Sequence, residues 1–205
     1  YTLASGVGAA NGALTFNADG TYVFNPGSDF DHLPTGVSRD ITFTYTATDN
    51  NGAVSAPATI TITVTGTNDT PAITSNAAAA AGAVTEAGHL DNGTVVAGTA
   101  NVTGTLTASD ADDSATRTWA INGTPSNTYG TIAIDPNTGV WTYNLDNSKA
   151  ATQALTEGQT VTETFTARVT DDKGAYVDQT ITVTINGTND SPIITSNAAA
   201  AAGTV

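Results

Sequence analysis

The feature that most constrains this chain is an internal period. Gly66-Thr67-Asn68-Asp69-Thr70-Pro71 returns as Gly187-Thr188-Asn189-Asp190-Ser191-Pro192, and Asn76 and Asn197 lie 121 positions apart (197 − 76). Ile73-Thr74-Ser75-Asn76 is followed by five alanines, and so is Ile194-Thr195-Ser196-Asn197. A period of this length describes a tandem array whose unit is large enough to bury a core of its own. The expected partition is the closing part of a first repeat over residues 1–69, a complete repeat over 70–190, and the start of a third over 191–205.

Each copy of the motif follows a run of alternating β-branched residues, Ile60-Thr61-Ile62-Thr63-Val64-Thr65 and Ile181-Thr182-Val183-Thr184-Ile185, and ends in a proline that cannot extend a ladder. The motif therefore marks the seam between two β-domains. Upstream, Tyr1 to Gly12 aligns with Trp119 to Gly130, so the first copy lacks a counterpart of the residues preceding Trp119. Leu14-Thr15-Phe16 and Ile132-Ala133-Ile134 match as strands. They turn through Asn17–Gly20 and Asp135–Gly139 into Tyr22-Val23-Phe24 and Trp141-Thr142-Tyr143. Ile41 to Ala47 alternates strictly, with threonine outward and apolar residues inward, and its partner is Phe165 to Val169. Short strands, regular turns and no helical period predict an antiparallel β-sandwich. The five-alanine runs are shorter than an isolated helix needs and read as loop or weakly paired edge.

Disulfides and thiolate metal sites are excluded because the chain has no cysteine. Its 19 acids face only five cations, Arg39, Arg117, Lys149, Arg168 and Lys173, for a formal charge of −14. Five scattered cations cannot build the basic stripe that binds phosphates, which argues against nucleic acid as a partner. No run approaches the ~20 apolar residues of a membrane helix, so no membrane insertion is expected in this segment. Ser and Asp are plentiful, but neither His32 nor His89 has a partner with which to form a nucleophile–base pair. Both histidines read as solvated loop residues, and catalysis is not expected.

The acids are unevenly placed. The strand Val102–Thr107 runs into Ala108-Ser109-Asp110-Ala111-Asp112-Asp113, which presents several carboxylates from one loop. Close carboxylates repel one another and their pKa values rise unless a cation lies between them. The Asn-Asp pair at each seam adds hard oxygen ligands of the kind calcium prefers, although Asn, Asp and Pro together also make an ordinary turn.

These residues resemble tandem VCBS repeats, bacterial domains of cadherin-like fold found in very large secreted surface proteins and adhesins. The resemblance spans essentially the whole chain. It implies an all-β fold of tandem cadherin-like (immunoglobulin-like Greek-key) β-sandwich domains, a location outside the cell at the bacterial surface, and calcium as cofactor. Matched to the cadherin calcium motifs, the implied ligands are Glu86 in Val84-Thr85-Glu86, Asp110 and Asp112 in the Asp-x-Asp, and Asp146 in Leu145-Asp146-Asn147. Asp171 follows the penultimate strand, and Asn68-Asp69 and Asn189-Asp190 form the linker cores. In that fold the strand-end loops gather at two poles. Asp110, Asp112 and Asp171 are thus expected to face Asn68 and Asp69, while Glu86, Asp146, Asn189 and Asp190 belong to the other pole.

The linker's first aspartate is replaced by Gly66 or Gly187, its last asparagine by Thr70 or Ser191, and the loop glutamate by Asn147, so one or two ions per seam are expected rather than three. The first copy has no Leu-Asp motif; Asp29 and Asp31 are its nearest substitutes.

The function implied is a spacer or adhesion segment of a giant secreted bacterial surface or biofilm-matrix protein, stiffened by calcium at its seams. Its partners would be neighbouring repeats of the same chain, with homotypic or surface and glycan contacts. Two other readings stand beside it. One is a carbohydrate- or partner-binding sandwich using Trp119 or Trp141, and the other is an extracellular filament subunit that assembles by strand donation.

Overall fold

A computed structural model describes residues 1–192. The start of the third repeat and the alanine run 198–202 lie outside the described residues, apart from Ser191 and Pro192. The chain forms strands β1 (Thr2–Ser5), β2 (Ala13–Phe16), β3 (Tyr22–Asn25), β4 (Ser38–Thr46), β5 (Ala58–Thr65) and β6 (Ala72–Ile73). There follow β7 (Ala81–Thr85), β8 (Gly88–His89), β9 (Val95–Val96), β10 (Asn101–Thr105) and β11 (Ala108–Ser109). Last come β12 (Arg117–Asn122), β13 (Gly130–Ile134), β14 (Val140–Leu145), β15 (Thr160–Asp171) and β16 (Tyr176–Asn186).

Two compact units result. The first comprises residues 1–72, 108–118 and 169–177; the second comprises 73–107, 119–168 and the chain from Asp178 onward. The first unit thus takes in two loops of the second repeat.

In the first unit a sheet of order β1-β4-β5 accompanies the hairpin β2-β3. Alternation puts Ile41 and Phe43 inward on β4, both buried. Phe43 meets Phe16 and Tyr22 edge-on, at 5.8 and 5.1 Å between ring centres. A neighbouring cluster of Phe30, Leu33 and Ile41 packs against Val7, Phe24 and Val64.

In the second unit the sheets have the orders β10-β14-β13 and β12-β15-β16-β7. Its core holds Val84, Leu106, Trp119, Trp141, Tyr143, Phe165, Ile181, Val183 and Ile185. A buried Glu163 accepts hydrogen bonds from the hydroxyls of Tyr143 (2.6 Å) and Ser126 (2.6 Å) and from the N–H of Thr128 (2.9 Å). With every partner in place, the carboxylate tolerates burial. Burial and this contact also push the Tyr143 hydroxyl well above its usual pKa.

Two expectations change. The ladder is not antiparallel throughout, because β7 runs parallel to β16, with Ala81 opposite Thr182 and Thr85 opposite Asn186. Parallel neighbours need a long crossover, and here the body of the repeat between β7 and β16 supplies it. The first alanine run is neither loop nor edge alone. Residues 77–80 form one 3-10 turn, with the Asn76 side chain accepting from the Ala79 N–H at 3.1 Å, and Ala81 then opens β7.

Small side chains are required here by packing rather than by helix propensity. The Ala79 carbonyl accepts a 2.8 Å hydrogen bond from Trp141 Nε1. A Cβ on Gly82 would lie 2.7 Å from Val102 and 3.0 Å from the Trp141 ring, and one on Gly104 would lie 2.6 Å from the Ala79 carbonyl oxygen. The alanine–glycine segment is the cover over a buried tryptophan.

Candidate metal centres

All five residues expected at the first seam lie in the first unit, and hydrogen bonds or charge link them. Asn68 sits just past β5. Its amide donates to Asp171 Oδ2 and to the Asp69 carbonyl, both at 2.8 Å. The Asp69 N–H donates to Asp112 Oδ2 at 2.9 Å, and the Asp112 N–H donates to Asp110 Oδ1 at 3.1 Å. The loop after β11 and the linker are thereby stitched together. A third segment joins them through the Asp113 N–H, which donates to the His32 carbonyl at 2.9 Å. A recess of about 220 Å³ opens beside Asn68, Asp112 and Asp113.

The electrostatics of this cluster are unbalanced. Asp112 is only 7% exposed, yet its Oδ1 has no hydrogen-bond partner, and neither does Asp110 Oδ2, which is also out of reach of solvent. Burial raises the Asp69 pKa, and the charges of Asp112, Asp31 and Asp110 raise it further. Asp171 differs. Burial pushes its pKa up, but donors at Asn68, Lys173 and Ala175 outweigh burial and hold the carboxyl below its usual range. Lys173 does not neutralise the cluster directly, because its ammonium pairs with Asp172 at 2.6 Å.

At the other pole, in the second unit, the structure gathers some of the expected residues and not others. Glu86 is fully buried and accepts from the Thr188 N–H at 3.1 Å and from Gln153 Nε2 at 3.4 Å. Its burial, with the charge of Asp190 as a smaller cause, raises its pKa. Asp190 Oδ2 and Thr188 Oγ1 are buried without partners. Asn189 is held through its backbone, exchanging hydrogen bonds of 2.7 and 2.9 Å with His89. That pairing also removes His89 from open solvent, as does the 3.2 Å contact of its ring with the Ser191 hydroxyl.

Asp146 is exposed and turned toward its own loop. Its Oδ1 accepts from the Ser148 hydroxyl (2.6 Å) and N–H (2.9 Å), which holds its pKa low. The neighbouring Asn147 reaches the Glu86 side instead, bonding the Ala87 N–H at 3.0 Å and the Ala87 carbonyl at 3.2 Å.

Among the described residues no three His, Asp or Glu side chains converge as a metal-holding group. The fit to a cation rests on the orphaned buried oxygens, Asp110 Oδ2 and Asp112 Oδ1 in one unit and Thr188 Oγ1 and Asp190 Oδ2 in the other. Hard oxygen donors beside carboxylates with raised pKa suit calcium, which also accepts amide and backbone carbonyl oxygens and water. Thr188 and Gln153 were not singled out as ligands by sequence, and Asp31 entered only beside Asp29 as a substitute for the missing Leu-Asp motif of the first copy. Asp31 lies in the loop that meets Asp113, so only the fold brings its charge to Asp69. The tryptophans are buried, Trp141 completely and Trp119 nearly so, and neither presents an open face for a sugar to stack on.

No curated protein sequence matches the chain. Among solved structures, a four-domain fragment of Drosophila N-cadherin aligns at 13% identity over 91% of this chain and 41% of its own length, with a TM-score of 0.49. Domains 22–24 of mouse cadherin-23 align at 17% identity over 86% of this chain and 50% of theirs, with a TM-score of 0.46. The chain thus spans half or less of the length of either. Among the described residues no helix is long and apolar enough to cross a membrane.

The bacterial cadherin-like domain model matches residues 1–66 and again 68–187. Cadherin-like domains are extracellular structural and adhesion modules rather than enzymes, and they generally bind calcium. With an all-β sandwich and two consecutive matches covering nearly all of its length, this chain belongs to the bacterial cadherin-like domain family.

Proposed function

We propose that the chain is a spacer and adhesion segment of a giant secreted protein at the bacterial surface, in which calcium stiffens the seams between successive repeats. The repeats are those the sequence suggests: 1–69, 70–190 and a third from 191 onward. At the first seam Asn68, Asp69, Asp110, Asp112 and Asp171 act together. The second seam uses Glu86, Asn189 and Asp190, with Asp146 swinging away from Ser148 to join them.

The observation that carries this reading is the pair of buried, unpartnered carboxylate oxygens on Asp110 and Asp112 beside an Asp69 of raised pKa. Unpartnered buried anions are costly, and a divalent ion removes that cost while tying the linker to loops of the following repeat. Neighbouring repeats of the same chain are the primary partners. Calcium binding is expected to raise the melting temperature, to register as one or two ions per seam by native mass spectrometry, and to narrow the distribution of distances in solution scattering. Melting and scattering profiles that chelator leaves unchanged would refute the proposal.

A further inference from the structure

The chain enters the second repeat's larger sheet along β7 and leaves it along β16, and these two strands are neighbours running in the same direction. That combination fixes how a pull on the repeat is received. In an antiparallel pair the entering and leaving ends would lie at one end of the ladder, and tension would peel its hydrogen bonds apart in turn. In a parallel pair they lie at opposite ends, so tension slides one strand along the other and strains every bond together.

Three features oppose that sliding. The ladder is continuous from Ala81 opposite Thr182 to Thr85 opposite Asn186. Past the end of β7 the Glu86 N–H still donates to the Asn186 carbonyl at 2.9 Å, and the Asn186 side-chain amide donates to the Val84 carbonyl at 3.2 Å. The inner face is dry as well: Val84, Val183 and Ile185 are 0% exposed, so water does not compete for the bonds from that side. Finally, β7 is keyed lengthwise. Tension draws β7 toward its own N-terminus, and the next register that keeps the same side chains inward lies two residues on. That step brings Val84 to the place of Gly82, where even a Cβ would lie 2.7 Å from Val102 and 3.0 Å from the Trp141 ring. Just ahead of this key, Trp141 Nε1 holds the Ala79 carbonyl at 2.8 Å.

We propose that β7 and β16 form a tension clamp, through which the repeat bears load along the chain and resists forced unfolding without any metal. Forced unfolding is governed by the barrier to unfolding rather than by equilibrium stability, so a short parallel ladder that must yield all at once outweighs its modest share of the folding free energy. The clamp lies within one repeat and does not rest on the calcium reading of the seams.

The absence of cysteine lets handles define the direction of pull. One full-length variant carries Ala77→Cys and Ser191→Cys, which loads β7 and β16 in shear. Another carries Ala77→Cys and Thr180→Cys, which pulls on the same end of both strands and peels them. All three positions are exposed, so the handles leave the core untouched. Each variant is stretched at the same loading rate by single-molecule force spectroscopy in chelator. The shear pair is expected to yield at severalfold the force of the peeling pair, in one step that releases the chain between the handles. Equal forces for the two pairs would overturn the proposal. So would a shear resistance that appears only when calcium is added, a result that would place the resistance at the seam and leave the calcium reading standing.

Discussion

The two repeats have the same alternating strands but bury them differently. Phe43 and Phe165 are both buried at matching places on β4 and β15. Further out, the agreement ends: Tyr22 and Tyr1 are largely exposed where Trp141 and Trp119 are buried. The second repeat has β7 and β10 at its sheet edges, and the described first repeat has no counterpart of either. A strand's own sequence decides which side chains face inward, while its neighbours decide how far those side chains leave water.

The interiors differ in chemistry as well. Aligned on the turns at Asp49 and Asp171, Ile41 stands where Glu163 does; aligned on Tyr22 and Trp141, Phe24 stands where Tyr143 does. The first repeat fills the position with an apolar contact in the Phe30–Leu33–Ile41 cluster, and the second fills it with a satisfied hydrogen-bond network. Both solutions avoid an orphaned polar atom. Exchanging only half of either would not.

Substitutions can test how far this contrast extends. Trp141→Ala removes the largest fully buried side chain and its bond to Ala79, and is expected to cost about 3–5 kcal/mol. Tyr22→Ala, at the matching exposed place, is expected to cost no more than about 1 kcal/mol. Denaturant unfolding checks both, with Trp119 fluorescence reporting on the second unit and hydrogen exchange on the first. Equal losses would mean that the two aromatics are equally covered in solution.

Tyr143→Phe leaves Glu163 one donor short and is expected to cost about 1–2 kcal/mol. Adding Glu163→Ile, the first repeat's solution, is expected to give a double variant less destabilised than the sum of the singles by about 1 kcal/mol. A strictly additive double-mutant cycle would show that the two side chains act independently.

Glu86→Gln probes the second seam. Because burial raises the Glu86 pKa, its ionised form opposes folding. The calcium-free chain therefore has this group's contribution in full below the unfolded pKa and loses it as pH rises through the folded one. In chelator at neutral pH the variant is expected to be more stable by about 1 kcal/mol, with the advantage shrinking toward pH ~4. In calcium it is expected to lose the part of the melting shift that this seam supplies. An unchanged calcium response would remove Glu86 from the ligand set.

The smallest effect is expected at Asp135, whose carboxyl is held low by the Thr138 and Asn137 N–H groups. Such a group stabilises the fold above its unfolded pKa, and its contribution is lost as pH falls through the folded value. Asp135→Asn is therefore expected to flatten the acid limb of stability and leave neutral pH nearly unchanged. Asp19, held low by Thr21 in the matching hairpin of the first repeat, is expected to behave alike.

Much of this was legible in the chain. The alternation of Ile60 to Thr65 and of Ile181 to Ile185 marked strands, and the Asp-x-Asp after Val102–Thr107 marked the acidic loop. Hydrogen bonds link Asn68 to Asp171, the Asp69 N–H to Asp112 and the Asp112 N–H to Asp110. Other features were hidden. Ser148, two residues on, holds Asp146 in its own turn, and the alanines serve to cover a tryptophan distant in sequence. Glu163 falls on the inward phase set by Phe165, but its Tyr143 partner lies on another strand and left no local trace.

What the sequence determined by itself was the period, the strands, their inward faces and the grouping of acids into seam loops, because these follow from spacing along the backbone. Only the tertiary structure decided which carboxylates are left without donors and that β7 runs parallel to β16. Those outcomes depend on which distant segments meet, and desolvation acts on an oxygen according to what surrounds it rather than what precedes it in the chain.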